Sequence, residues 1–332
     1  ARSCADLELP MVFLTLASRE GYLRQEIDGD GRQVDHADPW DLADWAIPLD
    51  AMVAVRIEGR AVWVRPWLYV LTCPIGHAIP VLLLDTRLDH NDPADRAITD
   101  RLYGGDEAYR LKQEIVLGVG GMRLLHALGF DIETYHLNEG HAALLAAGLL
   151  REHPHPTDRP SDGALRYDAD RVRDRCVFTT HTPVEAGHDR FDYEDAGRLL
   201  GDFLPLDQMK LLAGPDRLNM TRLALNLSGY VNGVALRHAE TARRMFPGYG
   251  IRAVTNGVHA PTWTHPAFAR LFQEIAPDWG HDPEELSGAD QLSDNAVWTA
   301  HQEAKGDLLA EVQRLTGVAM RPDVPVIAFA RR

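Results

Sequence analysis

Apolar and polar positions alternate with a period of two over residues 52–57 and 61–64, on either side of Glu58-Gly59-Arg60, and this pattern predicts a β-hairpin. Residues 67–71 and 80–84 predict further strands, with 72–76 as the turn between them. From Asn91 the period changes. Leu111, Ile115, Val119, Met122, Leu125 and Leu128 recur close to helical spacing, so one helix is expected over 107–128, ending at Gly129, a natural C-terminal cap. Beyond it strands and helices alternate, as a parallel α/β sheet requires. Strands are expected at 131–136, 175–180, 230–235 and 251–255, and helices at 140–152, 193–203, 220–227, 237–245 and 295–316. Residues 154–160 and the polar stretch after 203 read as connections. Residues 1–7 read as part of a helix, and 324–330 as an apolar β run followed by Arg331-Arg332. A strand needs a sheet to join, so the chain is expected to be a fragment cut at both ends.

Composition narrows the functions. A chain of 332 residues that is 45% hydrophobic and 25% charged, with 27 Gly and 20 Pro, is an ordinary globular one, neither collagenous nor disordered. No run nears the roughly 18 apolar residues of a membrane span. The 34 basic and 49 acidic side chains leave a net charge of −15, a field that repels nucleic acid and anionic lipid; neither is expected as a partner. An anionic substrate would need a local basic patch. Cys4, Cys73 and Cys176 form no CxxC pair, which fits a reducing cytosol and excludes a disulfide scaffold or a cysteine zinc site. No charged-then-apolar leader opens the chain, so a cytoplasmic location is expected.

Three segments share one design, an apolar strand running into a tight polar turn. They are Tyr135-His136-Leu137-Asn138-Glu139-Gly140-His141, Thr179-Thr180-His181-Thr182-Pro183 and Val254-Thr255-Asn256-Gly257-Val258-His259. In an open parallel sheet the carboxyl ends of the strands lie along one edge, where ligands bind. Amide and carboxylate oxygens accept hydroxyl protons and imidazole donates or accepts, so three such ends suit a neutral, hydroxyl-rich molecule. Each piece also has a plain structural reading. Asn138 and Glu139 sit where a helix begins and could simply cap it, Asn256-Gly257 is a common turn dipeptide, and His181 alone could be a structural histidine. Repetition at three strand ends favours the functional reading.

Two further patterns are set aside. His136 and His141 flank Glu139 at a spacing of five, about 140° away from the shared helical face that a zinc protease pair at i and i+4 needs, so no metal site is expected. Gly118-Val119-Gly120-Gly121 lies inside a helical pattern, and Arg123 stands where a dinucleotide loop needs its third glycine, so close helix packing is the better account. The arginines of 171–175 read as a solvated helix end.

In order and spacing, the sequence resembles the α-glucan (glycogen and maltodextrin) phosphorylases, in particular their shorter bacterial and archaeal branch. The segments that carry the resemblance are Leu83-Leu84-Asp85-Thr86 with Asn91-Asp92-Pro93, AITDRLYGG at 97–105, HLNEGHA at 136–142, VFTTHTPVEAGHDRF at 177–191, Asn219-Met220-Thr221, VNGVALRH at 231–238 and VTNGVHAPTW at 254–263. They run along nearly the whole chain and weaken around 28–60 and 153–173. The resemblance implies a Rossmann-like N-terminal lobe, with a β-hairpin insertion, of a two-lobed GT-B glycosyltransferase. On this reading 1–323 form that lobe, incomplete at its start and without the family's glycine-rich turn, and 324–332 begin the second lobe. The implied reaction moves the terminal α-1,4-linked glucose of a glucan or maltooligosaccharide to orthophosphate with retention, giving glucose 1-phosphate, with pyridoxal phosphate as cofactor.

Carried over position by position, the resemblance puts His181 and Asn256 at the 6-hydroxyl of the transferred glucose. It puts Glu139, where better-studied members have aspartate, and His141 at the neighbouring glucan subsite, and makes Asn138 the support of that turn. Arg331 and Arg332 match a basic pair whose final arginine contacts substrate phosphate. Lys112, Lys210 and Lys305 are the only lysines and all fall in first-lobe segments, so none matches the cofactor-bearing lysine. A glycogen or starch synthase, which shares the two-lobed architecture, and a non-catalytic glucan-binding lobe are the alternatives. Self-association is left open. The 332-residue chain by itself is expected to release no glucose 1-phosphate from maltopentaose and orthophosphate; steady release in a coupled assay would overturn this.

Overall fold

A computed structural model describes residues 1–73, 76–102, 104–155 and 163–329. Two sheets organise the chain. The first begins with β1 (Phe13–Leu16), followed by the exposed hairpin β2 (Leu23–Ile27) and β3 (Gln33–Ala37), which stands as a ribbon of its own. The short β4 (Ile47–Pro48), β5 (Val53–Ile57), β6 (Arg60–Thr72) and β7 (Ala78–Asp85) complete it. β1 runs parallel to β7, β6 antiparallel to β7, and β4 and β5 both pair with the other edge of β6. The expected hairpin is present: Glu58 (φ +52°) and Gly59 (φ +78°) both take left-handed conformations, as the two-residue turn whose twist matches the strands requires.

The strands expected at 61–64 and 67–71 are one continuous strand through Pro66. The Pro66 carbonyl accepts from Leu49 N at 3.0 Å, so the side of β6 lacking an N–H faces β4 and β5, at the gap between the β5 pairing (60–64) and the β4 pairing (67–68). Proline is tolerated where no ladder bond is lost.

The segment after β7 explains two family-like motifs structurally. Asp85, buried, takes both terminal nitrogens of Arg19 (2.9 and 2.8 Å) and the Trp67 indole N–H (3.0 Å). Burial opposes its charge, yet these donors hold its carboxyl below the usual range. The Asn91 amide accepts from Trp63 N (2.7 Å) and donates to the Trp63 and Thr86 carbonyls (both 2.8 Å), pinning the loop to β6.

The helix expected over 107–128 runs through Glu107–Ile115, a π-helical stretch Val116–Gly120 and Gly121–Ala127, and Gly129 (φ +77°) ends it. It buries Leu111, Ile115, Val119 and Leu125 against the first sheet and against helix Ala143–Arg151. Gly118 makes the close approach possible: a Cβ there would sit 2.7 Å from Leu145 N.

The second sheet consists of β8 (Tyr135–Asn138), β9 (Cys176–Thr180), β12 (Tyr230–Gly233) and β13 (Arg252–Ala253), all parallel and side by side in chain order; β10 (Arg190–Phe191) and β11 (Leu218–Asn219) form a separate antiparallel pair. The strand expected at 131–136 starts only at Tyr135 and runs on to Asn138, because its partner Cys176–Thr180 sets the register, Tyr135 opposite Cys176. Helices Leu206–Ala213, Pro266–Ile275 and Pro283–Gln291 occupy stretches for which the sequence pattern named no element. Residues 324–329 are not a strand: no edge pairs with them, and Ile327 and Phe329 are 79% and 91% exposed. Among the described residues no helix is long and apolar enough to cross a membrane.

One substitution made at two glycines should have opposite effects. Gly118→Ala gains helix propensity but forces backbone apart, and a net loss of about 1–3 kcal/mol is expected. Gly306→Ala, in helix Asp294–Thr316 with nothing within 4 Å of the added carbon, should gain up to about 1 kcal/mol. Chemical denaturation checks both, and equal effects would contradict the packing described.

Candidate functional site

β8 and β9 are hydrogen-bonded neighbours, with Asn138 opposite Thr179, so the turns that follow them lie side by side. Glu139 leaves β8 with φ +67° and ψ 168°, a region that is essentially glycine's and costs about 1–3 kcal/mol for other residues. Its side chain explains why the conformation holds. One carboxylate oxygen accepts from the backbone N–H of His181 and from the hydroxyls of Thr182 (3.1 Å) and Thr180 (3.4 Å). The other accepts from Gly140 N at 3.3 Å. On the other side Gly140 is pressed against Thr221, where a Cβ would lie 3.0 Å from the Thr221 N and hydroxyl.

These turns form one wall of a cavity of about 620 Å³. Asn138, Glu139, His141 and His181 line it together. Arg110, Gln113 and Glu114 from helix Glu107–Ile115 line it as well, as do His188, Asp189 and Thr221. Four of the sequence-predicted residues therefore come together.

Asn256 does not join them. β12 lies between β13 and β9, so the end of β13 is two strand spacings, about 10 Å, from the end of β9. Asn256 is exposed, its N–H bonds the Val234 carbonyl (3.0 Å), and it is absent from the cavity lining. Gly257 is not left-handed, so its turn does not demand glycine. Arg331 and Arg332 lie outside the described residues.

His136 is absent from the cavity lining. Its Nε2 lies 2.7 Å from the Thr179 hydroxyl, which donates to Asn232 Oδ1 at 2.9 Å, a relay across β8, β9 and β12 that leaves Nε2 of His136 to donate. The described residues contain no cluster of metal-ligating side chains. No lysine serves the cavity either. Lys112 pairs with Glu58 (3.2 Å), Lys210 stands over the Tyr193 ring (5.3 Å to its centroid), and Lys305 donates to the Pro322 and Val324 carbonyls (2.6 and 2.7 Å). The residues of this chain thus do not fit an aldehyde cofactor tethered to lysine at this cavity.

Burial sets the charge state of three lining residues. Desolvation pushes the pKa of Glu114 up to about 8, with Arg110 opposing only weakly, and pushes those of His141 and His188 down. At neutral pH all three are uncharged. Glu114 was singled out by no motif, and His188, although inside the 177–191 segment, was given no role. A trace was present in the helical pattern: at 100° per residue Glu114 falls about 60° from Leu111, on the buried side where a carboxylate does not belong.

No family model matches the chain. Among curated proteins it is 33% identical over 338 residues to the maltodextrin phosphorylase of Thermococcus litoralis, an alignment covering 94% of this chain and 39% of that protein. It is 36% identical over 334 residues to the glycogen phosphorylase of Mycobacterium tuberculosis, covering 90% of this chain and 36% of the relative. With the glycogen phosphorylase of Aquifex aeolicus it shares 27% identity over all of this chain and 53% of the relative. The chain therefore spans under two-fifths of the first two relatives and about half of the third.

The buried carboxyl of Glu114 makes stability depend on pH. It ionises near its ordinary value of 4.5 in the unfolded chain and near 8 in the folded one, so stability is lost as pH rises through that window and is level above it. Glu114→Gln should match the wild type below about pH 4.5 and exceed it by at least about 1 kcal/mol near pH 8.5. Thermal melts at the two pH values test this; the same difference at both would contradict it.

Proposed function

We propose that this chain belongs to the glycogen and maltodextrin phosphorylase family, to whose curated members it is 33–36% identical, and that it is the glucan-holding part of an enzyme that transfers a terminal α-1,4-linked glucosyl unit to orthophosphate, giving glucose 1-phosphate. In this reading 1–323 are the Rossmann-like first lobe of a GT-B fold and 324–332 lead into a second lobe. Arg331 and Arg332 then serve the substrate phosphate, and pyridoxal phosphate is held by a lysine other than the three present. A cytoplasmic setting goes with soluble glucan and phosphate as substrates.

One observation supports the reading most. Glu139, at a costly backbone angle, spends its acceptor capacity on the His181 turn, so that His181, His141 and Asn138 are presented to one cavity instead of being consumed in local caps. The neutral imidazole of His141 and the amide of Asn138 suit sugar hydroxyls, which offer both donors and acceptors. Asn256, on the same sheet edge, would reach the glucose only through a ligand extending along that edge. Holding the sugar rigidly is what such a site contributes to a transition state with oxocarbenium character.

Titration calorimetry with maltopentaose tests this. His181→Ala and Glu139→Gln should each weaken binding at least about ten-fold, the second by releasing the His181 turn, while Arg321→Ala, an exposed arginine paired with Asp323, should leave it unchanged. Binding indifferent to His181, or none in the wild type, contradicts the proposal.

A further inference from the structure

Glu114 and His188 share an unusual property. Both line the cavity, both are more than nine-tenths buried (4% and 6% exposed), and Glu114 Oε2 and His188 Nε2 have no hydrogen-bond partner among the described residues. A buried polar atom without a partner costs about 1–3 kcal/mol, and such atoms in folded proteins mark a missing ligand, a water or a functional group. Here two belong to side chains that line one cavity.

Neither group is loose. Glu114 follows Arg110 by one helical turn, and Arg110 is engaged by Asp189, so it is not available to pair with the Glu114 carboxyl. His188 is fixed by the Thr221 hydroxyl at Nδ1 (2.9 Å) and by Phe246 packed edge-on at 5.1 Å between ring centres. Its free Nε2 is therefore held in one place.

We propose that Glu114 and His188 are a hydroxyl-recognition pair that binds the sugar directly in this cavity. This deepens the glucan-binding reading and rests on it. Burial keeps the Glu114 acid protonated at neutral pH, so it donates to a hydroxyl oxygen. His188, neutral as well, accepts from or donates to a hydroxyl according to the role Thr221 takes at Nδ1. A neutral acid, a neutral imidazole and an already paired Arg110–Asp189 offer no net charge to balance an anion. The pair therefore selects a neutral polyol and not a phosphate.

The experiment measures calorimetric binding of maltopentaose, and of glucose and its monodeoxy analogues, to the 332-residue chain and its variants. Glu114→Leu should weaken glucose binding about three- to ten-fold, the loss of one neutral hydrogen bond, and the same should hold for His188→Leu. For one monodeoxyglucose, the analogue lacking the recognised hydroxyl, the Glu114→Leu penalty should vanish; a merely structural role would weaken all analogues alike. Glu114→Gln, which keeps a donor in the same place, should bind within about two-fold of wild type and guards against misfolding of the leucine variant. Three results overturn the pair. The first is unchanged binding in both leucine variants while His181→Ala still weakens it, which would leave Glu114 facing bound water. The second is a uniform penalty across the analogues. The third, no binding by the wild type at all, removes the glucan reading along with the pair.

Discussion

The carboxylate of Glu139 holds together two strand ends on which the site depends. Leaving β8, the chain turns through a conformation that glycine normally occupies, and the strain is offset only because one oxygen collects the His181 N–H and two threonine hydroxyls at the end of β9. Parallel pairing brings the two ends to one edge of the sheet, but it does not by itself fix where His181 points. Glu139 supplies that. A polar edge becomes a shaped wall because a costly backbone angle and a hydrogen-bond acceptor reside in the same residue.

Opposite this wall stands a helix made for close packing. Gly118 lets Val116–Gly120 lie against helix Ala143–Arg151, and the turn before it carries Arg110, Gln113 and Glu114 along one side, at the spacing i, i+3, i+4. The loops after β7, fastened by Asp85 and Asn91, hold the first sheet in place behind that helix. The segments of family resemblance thus divide by role. Those around Asp85 and Asn91 build the frame, and those around Glu139 and His181 shape the cavity.

Much of this was legible in the sequence. Period-two alternation located the β5–β6 hairpin and even its turn, because Glu58-Gly59 is a local device whose chemistry needs no tertiary partner. The helix over 107–128 was legible for the same reason. Asn138, Glu139, His141 and His181 could be named from strand-then-polar-turn segments. What failed was whatever depended on neighbours. The strand expected at 131–136 was shifted by the register of β9, and the strand order that sets β12 between β13 and β9, leaving Asn256 off the cavity lining, is not a local property; residues 324–329, read as needing a sheet this chain does not contain, pair with no described strand. Glu114 was overlooked since a single carboxylate near an apolar stripe is ambiguous until the cavity behind it is seen. Helices Leu206–Ala213, Pro266–Ile275 and Pro283–Gln291 escaped because at 8, 10 and 9 residues each offers too short an apolar pattern.

The central claim is that the turns after β8 and β9 form one sugar-binding wall, and its most direct test is a crystal structure of the chain with maltopentaose. The account predicts a glucosyl ring in the cavity within hydrogen-bond distance of His181 and His141, with Glu139 still bound to the His181 N–H. Ordered sugar elsewhere on the molecule, with only water between these turns and helix Glu107–Ile115, would contradict it.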